Sequence, residues 1–345
     1  MTKYIIAVTI ACIAYGASAQ DPQLSQYYAA PLYLNPAFTG NLDFDCRKLP
    51  ESRFRFIGNY RNQYGGNFTT TMASVDYRSK NGEWGFGLLA YQDRIGTTPL
   101  TQQNVSGLAS YKLGITNDWR LHSGLQVGYG ARNTSLDAFT FPDQFTSAGL
   151  TQATNEAMAR GGNSGYVDVS AGLLVFNEAF YMGAAVHHLN QPNQSLLDAS
   201  EKLPMRMSVH TGYRIPFKKG KGFVRRGADR SVTPTIHYKR QGQFQQLDIG
   251  TYFNYEPLVV GAWFRGIPID KAPNSSFQRD AVVLLLGVRQ ATDYGLFKLG
   301  LSYDFPVSNV GTNSGRTFEV SLSYQLINER CRKRVAYRSI PCPGI

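Results

Sequence analysis

Side chains capable of chemistry are few and scattered in this 345-residue chain. Ser208 and His210 stand two apart in an alternating run, so on a strand they share a face. Side chains so placed do not meet in hydrogen-bonding geometry, and no orienting acid is identifiable, so a polar lining role is expected rather than a hydrolytic one. His187 and His188 are adjacent, which on a strand puts them on opposite faces and rules out a chelating pair. The chain carries no nucleophile elbow, no metal-ligand spacing and no glycine-rich phosphate loop. Neither an enzyme nor a cofactor is expected.

The remaining charge is organised differently. The formal net charge is +11, and it is concentrated in two late segments. Lys218, Lys219, Lys221, Arg225, Arg226 and Arg230 face only Asp229, and Arg330, Arg332, Lys333, Arg334 and Arg338 face only Glu329. Such patches bind acidic protein surfaces or anionic lipid. Nucleic acid is not an expected partner, because the N-terminus reads as an export signal. Lys3 supplies the positive charge, Tyr4 to Gly16 the apolar run, and Ala17-Ser18-Ala19 the small-residue cleavage site before Gln20. Cys12 lies within the apolar run and leaves with it.

The elements that must position these groups are strands. No later stretch is long enough for a spanning helix; Ala281 to Val288 is eight residues, bounded by Asp280 and Arg289. Period-two alternation recurs from about residue 53 to 327. Phe318, Val320, Leu322, Tyr324 and Leu326 share one face, with Thr317, Glu319, Ser321, Ser323 and Gln325 on the other. Phe297 to Phe305, Phe54 to Tyr60 and Met205 to Tyr213 repeat the pattern, with Lys298, Asp304, Arg55, Arg61 and Arg206 on the opposite face. Charge confined to one face implies a polar interior and a lipid-facing exterior.

At about 9–11 residues per crossing, strands are expected near 53–62, 67–79, 83–92, 101–113, 118–131, 165–175, 179–188, 204–215, 232–240, 243–254, 257–265, 280–290, 295–305 and 316–327. The fold expected is therefore all-β: a transmembrane outer-membrane β-barrel of about 14 antiparallel strands. The even-to-odd links are mostly tight, and Asn81-Gly82 marks a hairpin because both residues tolerate positive φ. The odd-to-even links are mostly longer, notably 132–164, 189–203, 266–279 and 306–315; the long 216–231 and the tight 241–242 are exceptions. Short turns belong to the periplasm and long loops outside, so both termini are expected to be periplasmic.

That topology brings Cys46, Cys331 and Cys342 near one rim in an oxidising compartment. Cys46 with Cys342 is the favoured pair and Cys331 with Cys342 the alternative; either leaves one thiol over. Both basic segments fall on the same rim. Lys218, Lys219, Arg225, Arg226, Arg332 and Arg334 are accordingly a candidate docking patch for an acidic periplasmic partner, with contact to anionic lipid as the alternative.

After the cleavage site comes a segment without alternation, Asp21-Pro22-Gln23-Leu24-Ser25-Gln26-Tyr27-Tyr28, then Pro31-Leu32-Tyr33-Leu34-Asn35-Pro36-Ala37-Phe38-Thr39-Gly40. Its prolines bar a ladder strand and its tyrosines are too apolar to leave in water, so it is expected to pack in or under the barrel as a plug. Tyr27, Tyr28, Tyr33, Leu34, Asn35 and Pro36 are its candidate anchors. The domain order expected is signal peptide 1–19, N-terminal segment 20–52, barrel 53–327 and basic tail 328–345.

This opening resembles that of the PorP/SprF family of Bacteroidetes outer-membrane proteins. Asn59-Tyr60-Arg61-Asn62-Gln63, Phe141-Pro142-Asp143-Gln144, Tyr252 to Pro257, Gly261 to Gly266 and Pro341-Cys342-Pro343 extend the resemblance along nearly all the mature chain. The insertion at 216–231 looks longer than the family's usual turn. The resemblance implies a non-enzymatic component of type IX secretion and gliding motility. In that role the barrel would hold a secreted surface adhesin through its long outer loops, attach a periplasmic ring lipoprotein through its basic rim, or both. The alternative is a passive porin for small solutes. An open lumen would distinguish the porin from the anchor.

Overall fold

The computed structural model describes residues 21–42, 51–96, 100–134, 144–146, 149–150, 162–196, 200–217, 230–267, 278–292, 294–307, 316–329 and 340–341. Residues 1–19, where a signal peptide is expected, most of the 132–164 and 266–279 loops and most of both basic segments lie outside the described residues.

Fourteen antiparallel strands form the wall. They are β1 Glu51–Gln63, β2 Phe68–Arg78, β3 Trp84–Ile95, β4 Leu100–Gly114, β5 Arg120–Thr134, β6 Gly162–Phe176 and β7 Phe180–His187. The second half comprises β8 Arg206–Tyr213, β9 Arg230–Gln241, β10 Phe244–Tyr255, β11 Leu258–Ile267, β12 Gln278–Ala291, β13 Gly295–Pro306 and β14 Thr317–Glu329. Beyond Tyr213, Ile215–Pro216 prolongs β8 against β9, pairing with Val232 and Ser231. Each strand pairs with its sequence neighbours, and β1 closes on β14 from Phe54↔Leu326 to Asn62↔Phe318. Closure leaves no open sheet edge to solvate in lipid. All fourteen expected strands are present, within a few residues of their expected ends.

The alternation sorts side chains as a membrane wall requires. Outward positions are large and apolar: Leu88, Val105, Leu125, Val127, Leu173, Leu286 and Leu301 are exposed on the described surface. Outward aromatics lie toward both ends of the wall, with Trp84, Phe86, Phe253 and Tyr255 near the short turns and Tyr60, Phe318, Phe305 and Phe264 toward the long loops. Such girdles sit at the two lipid–water interfaces. Turn chemistry departs from expectation in one detail. The 79–83 hairpin forms, with Gly82 N donating to Ser79 O at 2.9 Å, but only Gly82 (φ 75°) is left-handed. A turn closed by a single αL glycine needs no positive φ at Asn81.

The interior is not uniformly polar. Leu174, Phe176, Tyr181, Tyr252, Val259, Trp263, Val283, Leu285 and Ile340 form one buried cluster with Tyr27, Tyr28, Leu34, Ala37 and Phe38 of the N-terminal segment. The apolar run Ala281 to Val288 is thereby explained: as part of β12 it faces lipid on one side and this cluster on the other, so neither face needs polarity. Ile340, only 3% exposed, also places part of the C-terminal tail against that cluster rather than free below the rim.

Candidate functional site in the barrel lumen

Residues 21–42 lie inside the wall and are nearly all buried. The segment has no strand. It makes a 3-10 turn at Tyr27–Ala29, one short helix, α1, at Pro31–Leu34, and a second 3-10 turn at Pro36–Phe38. Proline opens both α1 and the second turn, where its fixed φ suits a first helical position and its missing N–H costs nothing. Asn35 caps the second turn, accepting from Ala37 N at 2.9 Å.

Three groups of contacts run along the segment. The first is centred on Ser25. Its hydroxyl donates to the Asp304 carboxylate at 2.7–2.8 Å and accepts from Arg265 at 3.0 Å and from Arg61. Ser25 N donates to Glu319 at 2.7 Å and Gln26 N to the same carboxylate at 3.2 Å. Around this dipeptide Arg61 pairs with Asp304 (3.0 Å) and Glu319 (3.1 Å), and Arg265 with Asp248 and Asp304 (both 3.1 Å). The charges come from β1, β10, β11, β13 and β14, and each carboxylate has a cation within reach, the condition under which burying them is tolerable.

The second group holds Asp21. Its carboxylate meets His188 Nε2 at 2.7 Å and Arg206 at 3.0 Å, while Asp21 N donates to Gln241 at 3.1 Å. His188 Nδ1 meets Asp168 at 2.9 Å. Burial raises the Asp21 carboxyl, but His188 and Arg206 outweigh it and hold the group below the usual carboxylate range. Burial opposes the charge on His188, just past β7, yet Asp21 and Asp168 raise it to about 9. Arg206 also donates to Tyr33 Oη at 2.5 Å and lies 4.4 Å from the centre of that ring.

The third group seats residues 35–41. Asn35 Nδ2 donates to Leu173 O (3.0 Å) and Ala184 O (3.1 Å), Ser110 to Thr39 O (2.6 Å), and Gly40 N to Asp76 (2.8 Å), which is paired with Arg55 at 2.7 Å. Here the backbone lies directly on the wall. A Cβ at Gly124 would overlap Pro36 and Ala37, and one at Gly172 would overlap the Asn35 side chain.

These contacts give the segment a direction. Asp21 meets residues at the long-loop ends of β7, β8 and β9, whereas Gly40 and Asn41 meet Asp76 and Arg55 at the short-turn end. The first described residue therefore lies at the opposite mouth from the start of β1. The path is fixed by side-chain partners in the lumen, which strand periodicity does not specify.

Of the expected anchors, Tyr27 packs on His237 (4.7 Å between ring centres) and Tyr28 on Tyr181 and Tyr252 (5.8 and 6.1 Å), while Tyr33, Leu34, Asn35 and Pro36 all sit inside the wall. Cys46, Cys331, Cys342, Lys218, Lys219, Arg225, Arg226, Arg332 and Arg334 lie outside the described residues. Ser208 and His210 both point into the lumen, where His210 stacks on Phe38 at 5.4 Å and no hydrogen bond joins the pair. The opposite-face reading of His187 and His188 fails: His188 leaves the strand at φ 59°, so both rings are buried inside. Among the described residues no cluster of three or more His, Cys, Asp or Glu could hold a metal. Of the residues that meet the segment, Asp168, Arg265 and Asp248 were not singled out from sequence. Their signal was charge at inward positions, and which charges meet is set by barrel closure.

A closed antiparallel barrel with an apolar, aromatic-rimmed exterior and a side-chain-filled interior defines a membrane protein of the outer-membrane β-barrel class. The chain matches the family model of the type IX secretion system membrane protein PorP/SprF over residues 16–324, and it belongs to that family. No curated protein matches it significantly. Among solved structures, the Pseudomonas putida toluene transporter TodX aligns at 9% identity over 91% of this chain and 96% of its own, with a TM-score of 0.48. The Ralstonia pickettii toluene transporter TbuX aligns at 12% over 87% and 93% (TM-score 0.45), and the Acinetobacter baumannii outer membrane protein Omp33 at 10% over 81% and 99% (TM-score 0.41).

Proposed function

We propose that this protein is a non-enzymatic anchor of type IX secretion in the outer membrane, its lumen plugged by its own N-terminal segment. The observation that carries the reading is the double tether of that segment. Ser25 and Asp21 are held by buried charge toward one mouth and Gly40 by Asp76 toward the other. A pore for solutes needs a clear path, whereas a wall braced from inside by paired charges suits a rigid platform that bears load at its rims.

Two partners suit the two rims. The long loops, above all 132–164, would hold a secreted surface protein at the cell exterior. The basic segments with Lys218, Lys219, Arg225, Arg226, Arg332 and Arg334 would dock an acidic surface of a periplasmic ring lipoprotein. Cys46 with Cys342, or Cys331 with Cys342, would tether the tail on that side. The shared test is affinity capture from native membranes, comparing the wild-type barrel with one carrying all six charge reversals. A ring lipoprotein recovered with the wild type and lost from the variant supports periplasmic anchoring, and a large surface protein recovered with both supports surface anchoring. Reconstituted barrels should conduct little; conductance comparable to an open porin would overturn the anchor reading in favour of solute transport.

A further inference from the structure

The cluster at Asp21 has a chemistry of its own. His188 presents both ring nitrogens to carboxylate oxygens, Nδ1 to Asp168 at 2.9 Å and Nε2 to Asp21 at 2.7 Å. An ionised carboxylate only accepts, so each nitrogen must carry a proton and the ring must be an imidazolium. A neutral ring would leave one nitrogen lone pair facing an anion, turning one attractive contact repulsive. His188 reaches this position in a left-handed backbone conformation (φ 59°), uncommon for a residue with a Cβ, and Gln191 in the same link repeats it (φ 43°). The link is fastened to β6 as Leu189 N donates to Val169 O at 2.9 Å and Asn190 Nδ2 to Val167 O at 2.6 Å. The histidine is thus held between wall and segment by its own backbone.

We propose that His188 is a protonation-controlled latch, which as an imidazolium pins Asp21 across to Asp168 and as a neutral ring loosens the outer end of the N-terminal segment, leaving it to Arg206 and Gln241 alone. The latch concerns only the outer end, because Ser25 and Gly40 are held by separate groups. It goes beyond the anchoring role and does not depend on any partner.

The surroundings set the sign. Asp168 and Tyr166 face the cluster from β6, His187 from β7 and Arg206 from β8, with Lys239 beside Asp21 on β9. Tyr33 of the segment and Tyr91 and Asp93 of β3 complete the shell. Burial opposes the charge on His188, and the two adjacent carboxylates outweigh it. The His188 pKa is raised above its ordinary 6.5 to about 9. The stabilisation is therefore fully present below pH 6.5 and is lost as pH rises through about 9. For Asp21 the direction is opposite, and its contribution is lost only in strong acid.

Hydrogen exchange of the full-length folded barrel in detergent, corrected for intrinsic rates, tests the latch. Between pH 7 and pH 10, protection of residues 21–24 should fall about tenfold, roughly one charge-assisted hydrogen bond, while Ser25 and Gln26, held by Glu319, and strands β4 and β5 stay protected. His188→Gln should show the low protection already at pH 7 and no further fall at pH 10. Wild-type protection that does not change with pH, or a His188→Gln variant protected like wild type, overturns the proposal. If His188→Gln fails to give a heat-modifiable folded barrel, Asp168→Asn serves instead. It should move the midpoint to lower pH, and an unmoved midpoint overturns the latch.

Discussion

Replacing Gly124 by valine tests how closely the N-terminal segment is fitted to the wall. Gly124 faces inward on β5, and a Cβ there would overlap the backbone of Pro36 and Ala37 rather than a side chain that can swing away. The turn at Pro36–Phe38 must lift off. With it go the two hydrogen bonds from Asn35 to Leu173 and Ala184 and the one joining His122 to Ala37 O at 3.2 Å. At about 0.5–1.5 kcal/mol each, and with overpacking of about 1–3 kcal/mol as the competing route, the expected destabilisation is about 2–4 kcal/mol. The segment should bow rather than leave, because the Ser25 and Gly40 contacts flank the turn. The assay is the temperature at which the folded barrel loses its fast migration on SDS gels, combined with hydrogen exchange of residues 35–39. Gly58→Val is the control: nothing lies within 4 Å of a Cβ added there, so it should change neither readout. Equal effects of the two substitutions, or an unchanged Gly124→Val barrel, would refute a segment seated on the wall.

Arg61→Leu removes a cation shared by Asp304 and Glu319 and should cost about 3–5 kcal/mol by the same gel transition; adding Glu319→Leu should restore part of the loss, and no recovery would argue against a charge-pairing role. Val127→Arg, on the outward face beside Gly107 and Leu88, should destabilise the barrel in vesicles by about 2–4 kcal/mol if it sits near the middle of the lipid belt. A neutral result in a folding titration would mean that this face does not contact hydrocarbon.

The wall was legible because a strand's side chains alternate with period two and a membrane barrel has two different solvents. Phe318 to Leu326 against Thr317 to Gln325 fixes both the strand and its faces without reference to any neighbour. Loop lengths then fixed the order of long and short ends. The interior was less legible, because inward residues answer to one another. Val283 and Leu285 are apolar because Trp263, Tyr252 and Ile340 pack nearby, a contact that exists only once β10, β11 and β12 are side by side.

Sequence by itself determined that residues 21–42 could be neither a strand nor a free tail, since prolines bar the ladder and tyrosines resist water. It did not determine their route. Only the closed barrel brings Arg61 of β1 opposite Glu319 of β14 and sets Arg265 of β11 beside Asp304 of β13, making the charged seat that receives Ser25. His188 is the sharpest case. A strand reading places it outside, facing lipid, whereas a single left-handed turn of the backbone brings it into the lumen between two carboxylates. Local pattern fixes what each residue tolerates, and closure decides which residues meet.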